Sequence, residues 1–159
     1  MIKFQSTKLH NGYSTCYRIH NSNNIEKYIH GCALSFRVWY EGDLDNKNWV
    51  VDFGAFKRSK VMIEGKNPKD YFDWLLDHTT IVAEDDPYLD KFKELNELGV
   101  IQLRVLPQVG CERFAEFIFN KIDEWVRMET FNRVRVVKVE VYEHEKNSAS
   151  YERNPYLYV

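Results

Sequence analysis

The sequence predicts an α+β fold, with helices packed on one face of an antiparallel sheet. Three features predict it. Alternating runs rich in β-branched and aromatic residues lie toward both ends of the chain, helix-spaced apolar residues fill the middle, and only a short polar segment separates the first two strand candidates.

Tyr13 to Ile19 is the first strand by its Tyr, Thr and Ile content, and alternation puts Cys16, Arg18 and His20 on one face. Asn21-Ser22-Asn23-Asn24 marks a turn. Cys32 to Glu41 is the next strand, with Cys32, Leu34, Phe36, Val38 and Tyr40 on one face. The connection is short enough for an antiparallel, hairpin-like pair. After the polar loop Gly42 to Asn48, the apolar run Trp49 to Phe53 leads into a helix near Gly54 to Met62, with Asp52 as its expected cap. Asn67-Pro68-Lys69-Asp70 has the order of a helix start: cap, proline at the first helical position, acid in the first turn. Asp86-Pro87 starts another helix on the same logic, carrying Leu89, Phe92 and Leu95 and stopping near Gly99, before a strand over Val100 to Leu106. Cys111, Phe114, Ala115, Ile118, Ile122 and Trp125 recur at helical intervals, so Gly110 to Arg127 is the longest helix and its apolar face covers the sheet. Arg133 to Tyr142 alternates as a buried strand, Val137, Val139 and Val141 facing one way and Val134, Val136 and Tyr142 the other. Glu143 continues the Val139, Val141 face, and Ala149 to Tyr151 forms a short return strand.

Composition bounds the function. A chain of 159 residues is expected to form one domain with a core of its own, without disulfides. A formal net charge of -2 with interspersed signs lacks the basic stripe that neutralises phosphates, which argues against nucleic acid as a partner. Cys16, Cys32 and Cys111 are an odd set without framework spacing, as expected of a reducing, cytoplasmic location. Met1 to His10 is polar, and no window approaches about eighteen consecutive apolar residues, so no membrane association is expected. Ten Tyr, ten Phe and four Trp are more aromatic surface than a lone small domain usually hides, which suggests a homo-oligomer that buries its sheet edges.

One stretch carries metal-binding side chains. His30 and Cys32 lie two apart on a strand and so share a face, and the preceding strand can bring His20 to the same point. Imidazole and thiolate both suit Zn2+, and three protein ligands leave a fourth position for chemistry.

Short strings now line up in order: His20, His30-Gly31-Cys32, Trp49 to Phe53 with Lys57, Leu76-Asp77-His78, Glu112 at a helix start, and Glu143 with Tyr151 eight residues on. From about Tyr13 to Tyr151 the chain resembles the 6-pyruvoyl-tetrahydropterin synthase and 6-carboxytetrahydropterin synthase family. The resemblance implies a tunnelling fold (T-fold), in which sheets from several subunits close into an oligomeric barrel, often a hexamer, with active sites between subunits. It implies 7,8-dihydroneopterin triphosphate as the substrate class, and zinc held by His20, His30 and the residue at position 32. Asp77 and His78 are then the proton-transfer pair, although alone they read as a helix-end acid beside a surface histidine. Glu143 anchors the pterin ring through charge-assisted bonds to its N–H edge, and Glu112 lines the pterin pocket with Gly110 and Cys111.

The chain departs from the family pattern at two places. Position 32 is usually His, and a thiolate there donates more charge and leaves zinc a weaker Lewis acid. The family's catalytic cysteine usually stands four residues before the His-Gly, where this chain has Glu26. Three roles are open to Glu26: a substitute general base, an exposed loop residue with the base supplied elsewhere, or a mark of a lost reaction. Cys32 is a candidate working thiolate if zinc is absent. Cys111 opens a helix whose dipole can lower its pKa. Arg18, Lys27 and Lys57 are candidates for the triphosphate. The expected activity is formation of 6-carboxytetrahydropterin on the route to 7-deazaguanines such as queuosine. The alternatives are a 6-pyruvoyl or 6-hydroxymethyl pterin product, or a non-catalytic pterin-binding oligomer.

Overall fold

The computed structural model describes residues 3–154. Its spine is a six-stranded sheet in the order β4-β3-β1-β2-β5-β6, with helices packed on one face. The strands are β1 (Phe4–Tyr17), β2 (His30–Gly42), β3 (Thr79–Ala83), β4 (Leu103–Leu106), β5 (Val134–His144) and β6 (Asn147–Glu152). Between them lie α1 (Ala55–Arg58), α2 (Pro68–Leu76), α3 (Leu89–Glu97) and α4 (Cys111–Glu129).

The expected antiparallel sheet is present as β1-β2-β5-β6. β3 and β4 then extend it in parallel beside β1, so the whole sheet is mixed. β3 has no counterpart in the sequence expectations, because its five residues are all buried and a run that short has no alternation to read. β1 begins nine residues before Tyr13 and ends at Tyr17. Its bulge falls between His10 and Tyr13, where Gly12 takes a φ of 90° that a side chain would strain.

Leu34, Phe36, Val38 and Tyr40 are buried along β2 as alternation requires. On β5 the pattern slips. A bulge opposite Trp39 and Tyr40 pairs Trp39 with Lys138 and Tyr40 with Val136, so Val134, Val136, Val139 and Val141 are all buried, while Val137 is not. One inserted residue thus joins two sets of valines that strict alternation assigns to opposite faces.

α4 buries Phe114, Ala115, Ile118, Phe119, Ile122, Trp125 and Val126 against the sheet, the face its spacing predicts. Full burial of such a side chain stabilises by roughly 1.5–3 kcal/mol, which makes α4 the main cover of the sheet. The helix expected over Gly54 to Met62 is the single turn α1, and Asp52 precedes its cap, accepting from the Gly54 N–H at 2.8 Å. α3 starts at Leu89, after a turn in which Asp86 accepts from the Tyr88 N–H, and β4 starts at Leu103, after the expected Val100.

The start of α2 is as read from the sequence: the Asn67 side chain accepts from the Asp70 N–H at 2.8 Å and Pro68 stands at the first helical position. Asn67→Ala should therefore cost about 1 kcal/mol of stability by chemical denaturation, and Asn67→Asp much less.

Candidate active site

Residues from four elements meet at one end of the sheet, on the helix-covered face. Tyr17 closes β1, His30 and Cys32 open β2, Cys111 opens α4 and Glu143 stands near the end of β5. The Tyr17 hydroxyl donates to Glu143 Oε1 at 3.3 Å, and His30 Nε2 lies 3.4 Å from the same oxygen. The Tyr17 ring is tilted on His30 at 4.7 Å and stands edge-on to Phe114 at 5.1 Å, which fixes the hydroxyl toward the carboxylate. Glu143 keeps 24% of its side chain exposed, so one carboxylate faces open space with its orientation already set.

His30 is prepared from behind. Its Nδ1 is 2.8 Å from the Tyr28 carbonyl, which can only accept, so Nδ1 carries a proton and Nε2 faces Glu143. Burial and the adjacent Glu143 charge push the Cys32 thiol up to about 12, and its Sγ lies 3.5 Å from the Thr15 carbonyl. Burial and Glu143 also push Cys111 up to about 11, against hydrogen bonds from Tyr17 and the Glu143 backbone. The net shift of Cys111 is thus upward, led by burial, where its place at a helix start suggested a downward one.

Gly110 caps α4 at a φ of 112°, and a side chain there would touch Ile19. That close approach lets the loop after β1 lie on the head of α4, beside exposed Glu112 in its first turn. The loop is closed by the Ile19 N–H donating to the Glu26 carbonyl at 2.8 Å. Glu26 itself lies in a short 3-10 turn, Ile25–Lys27, exposed to solvent and accepting from Ser22 Oγ at 3.2 Å.

His20 is not on the strand face with Cys16. β1 has ended by then, and His20 Nε2 sits 3.1 Å from Asp85 Oδ1. Cys16 points away from Tyr17 and meets Thr80 Oγ1 at 3.1 Å. The donor types of His20, His30 and Cys32 fit zinc, and the His30 tautomer suits ligation through Nε2. Among the described residues, however, no three His, Cys, Asp or Glu side chains are gathered as metal ligands.

Asp77 and His78 form a pair of their own, His78 Nδ1 3.1 Å from Asp77 Oδ1. The Ser14 N–H donates to Asp77 and the His78 N–H donates to the Ser14 carbonyl, which fixes both residues to β1. The Ser14 N–H and then His78 hold the Asp77 carboxyl below its ordinary range, against partial desolvation. The His78 side chain is 76% exposed, at a φ of 57°. Ser14 precedes Tyr17 by three residues, roughly 10 Å of strand, so the pair is separate from Glu143 within one chain.

Of the triphosphate candidates, Arg18 is committed elsewhere, to Asp86 at 2.8 and 2.9 Å and to the Lys27 carbonyl at 3.0 Å. Tyr17 is the site residue the sequence did not single out. Its signal was the Tyr13, Thr15, Tyr17 alternation, overshadowed by the Cys16, Arg18, His20 set.

Comparison with known proteins agrees with this architecture. No curated protein sequence matches the chain. The solved structure of an uncharacterized protein from Wolinella succinogenes superposes with a TM-score of 0.76 at 18% identity, covering 97% of this chain and 100% of that one. The 6-pyruvoyl tetrahydropterin synthase of Caenorhabditis elegans gives 0.62 at 17% identity, covering 97% and 98%. A Plasmodium vivax 6-pyruvoyltetrahydropterin synthase, with its catalytic glutamate changed to alanine, gives 0.62 at 16% identity, covering 95% and 99%. These likenesses establish the T-fold. The sequence model of the 6-pyruvoyl tetrahydropterin synthase family matches residues 7–154. The chain therefore belongs to the 6-pyruvoyl tetrahydropterin synthase family.

Proposed function

We propose that the protein is a lyase acting on the side chain of 7,8-dihydroneopterin triphosphate and releasing 6-carboxytetrahydropterin, a 7-deazaguanine precursor. The observation that carries this reading is the Glu143 carboxylate, partly open to solvent and oriented by Tyr17 beside the head of α4. A carboxylate so placed accepts two N–H bonds from an aminopyrimidine edge and fixes ring orientation. Gly110, Cys111 and Glu112 supply the adjoining wall. The Asp77–His78 pair supplies proton transfer, with Asp77 ionised and aligning the imidazole. Zinc, held by His20, His30 and Cys32, would supply Lewis acidity toward the side-chain hydroxyls. A homo-oligomer would unite Glu143 with the Asp77–His78 pair of a neighbouring copy.

A second reading, formation of a 6-pyruvoyl or 6-hydroxymethyl pterin, is favoured by Glu26 at the usual cysteine position. The Plasmodium vivax protein has a glutamate as its catalytic residue, and Glu26 is assigned here as the general base. Glu26→Gln should lower kcat by about 100-fold with pterin affinity retained, since it removes the base and keeps the shape. Unchanged kcat would remove Glu26 from the mechanism.

Mass spectrometry of products from the metal-analysed protein and 7,8-dihydroneopterin triphosphate separates the readings. 6-Carboxytetrahydropterin with acetaldehyde supports the first, and a 6-pyruvoyl or 6-hydroxymethyl product the second. Pterin binding without product would overturn both in favour of a non-catalytic pterin-binding oligomer.

A further inference from the structure

A cleft of about 410 Å³ opens beside the bulge of β1 and is bounded by α1 and α2. Cations reach it from three elements: Lys8 from β1, Lys57 and Arg58 from α1, and Lys69 from α2. Asp73 is the single carboxylate in its lining. Lys69 is neutralised by Asp73 at 2.6 Å, and Arg58 reaches out of the cleft to Asp52 at 3.1 Å. Lys57 has no ion pair among the described residues, and Lys8 has only the face of Phe53, 5.9 Å away. Two exposed ammonium groups therefore line one cleft without an ion-pair partner among the described residues, which leaves both available to an anion.

Beneath them lies His10, stacked on Phe56 at 4.3 Å and tilted on Phe36 at 4.9 Å. Its Nε2 is buried without a hydrogen-bond partner, which is costly for a polar atom. Burial and Lys8 hold its pKa down at about 4, so the ring stays neutral and adds no charge of its own.

The cleft adjoins the proton-transfer pair. Tyr13 lines it, and the next residue, Ser14, binds both Asp77 and His78. Asp73 lies one turn before Asp77, whose N–H donates to the Asp73 carbonyl at 3.0 Å. A ligand with its phosphates among these cations would thus present the carbons next to the phosphates to Asp77 and His78.

We propose that this cleft is a polyphosphate site, with Lys8 and Lys57 as the primary cations, and that it receives the triphosphate tail of the substrate. The second half of the assignment rests on the pterin triphosphate reading above. Lysine suits the task as a compact charge on a flexible stem that can follow a phosphate chain. Of the three cations expected from sequence, the cleft selects Lys57, while Arg18 is held by Asp86.

The test is calorimetric titration of inorganic tripolyphosphate into the full chain and into a Lys8→Gln, Lys57→Gln double variant. Both side chains are exposed, so the variant should retain the fold. Wild type should bind, and the variant should bind at least about tenfold more weakly with a shallower salt dependence. In turnover the variant should raise KM for 7,8-dihydroneopterin triphosphate by a similar factor with kcat kept. Absence of tripolyphosphate binding, or equal binding by both proteins, would overturn the site. Turnover with unchanged KM in the variant would overturn the cleft as the tail's seat while leaving the lyase reading intact. Tripolyphosphate binding lost in the variant, with no pterin turned over by wild type, would overturn the lyase reading and the tail assignment and leave an anion site.

Discussion

Replacing Glu143 with alanine should reduce kcat/KM on 7,8-dihydroneopterin triphosphate by about 100- to 10,000-fold. Two charge-assisted hydrogen bonds from a pterin edge, each worth about 1.5–3 kcal/mol, would be lost together, and tenfold corresponds to about 1.4 kcal/mol. Glu143→Gln should recover part of this, because one amide oxygen still accepts while the amide nitrogen faces a donor. The fold should be little affected, since Glu143 is only partly buried and its ties to Tyr17 and His30 are long, at 3.3 and 3.4 Å. Tyr17→Phe separates positioning from contact: it keeps the ring packed on His30 and Phe114 and removes the hydroxyl that orients the carboxylate. About a tenfold loss is expected there. Steady-state kinetics with a direct pterin-binding titration measures both variants. Full pterin affinity in Glu143→Ala would end the ring-anchor assignment.

The largest stability effect should come from Arg18. Its guanidinium grips Asp86 through two nitrogens at 2.8 and 2.9 Å, and the Asp86 side chain is only 1% exposed. A third bond, to the Lys27 carbonyl, ties down the loop that carries Glu26. Arg18→Ala leaves a buried carboxylate without its counter-charge and should cost about 3–5 kcal/mol, a large share of a typical domain's stability. Urea unfolding at pH 7 reads this directly. The pH dependence supplies a second check. Burial alone pushes the Asp86 carboxyl up, but Arg18 and the Tyr88 N–H outweigh it and leave its pKa below the ordinary 3.8. A group depressed in the folded state contributes stability above its unfolded pKa and loses it as pH falls through the folded value. Wild type should therefore lose this contribution only below about pH 3.8. In Arg18→Ala burial dominates, the Asp86 pKa rises above its unfolded value, and this group should instead stabilise the variant as the carboxyl protonates on acidification. A loss under about 1 kcal/mol at pH 7 would show that solvent reaches Asp86 and replaces the guanidinium.

Much of the site was legible before folding was considered. His30-Gly31-Cys32 sits at the mouth of a strand, Asp77-His78 at the end of a capped helix, Gly110-Cys111-Glu112 at a helix start and Glu143 on the Val139, Val141 face, as the local patterns require. The metal-ligand expectation placed His20 on the strand face by extending alternation three residues past the strand's end. Tyr17 ends β1, and the chain turns His20 toward Asp85, sixty-five residues away in sequence. The role of Arg18 was hidden for a related reason, since Asp86 is distant in sequence and reads locally as part of a helix start.

What the sequence by itself determined is the identity of β1, β2, α2, α4 and β5 and the faces that β2 and α4 bury, because periods of two and 3.6 residues are properties of a single segment. Only the tertiary structure decided the rest: the parallel addition of β3 and β4, the bulge that puts Val136 and Val139 on one face, and the meeting of Tyr17, His30, Cys111 and Glu143. Those features depend on which strands pair and in what register, and register is set by contacts between segments far apart in the chain.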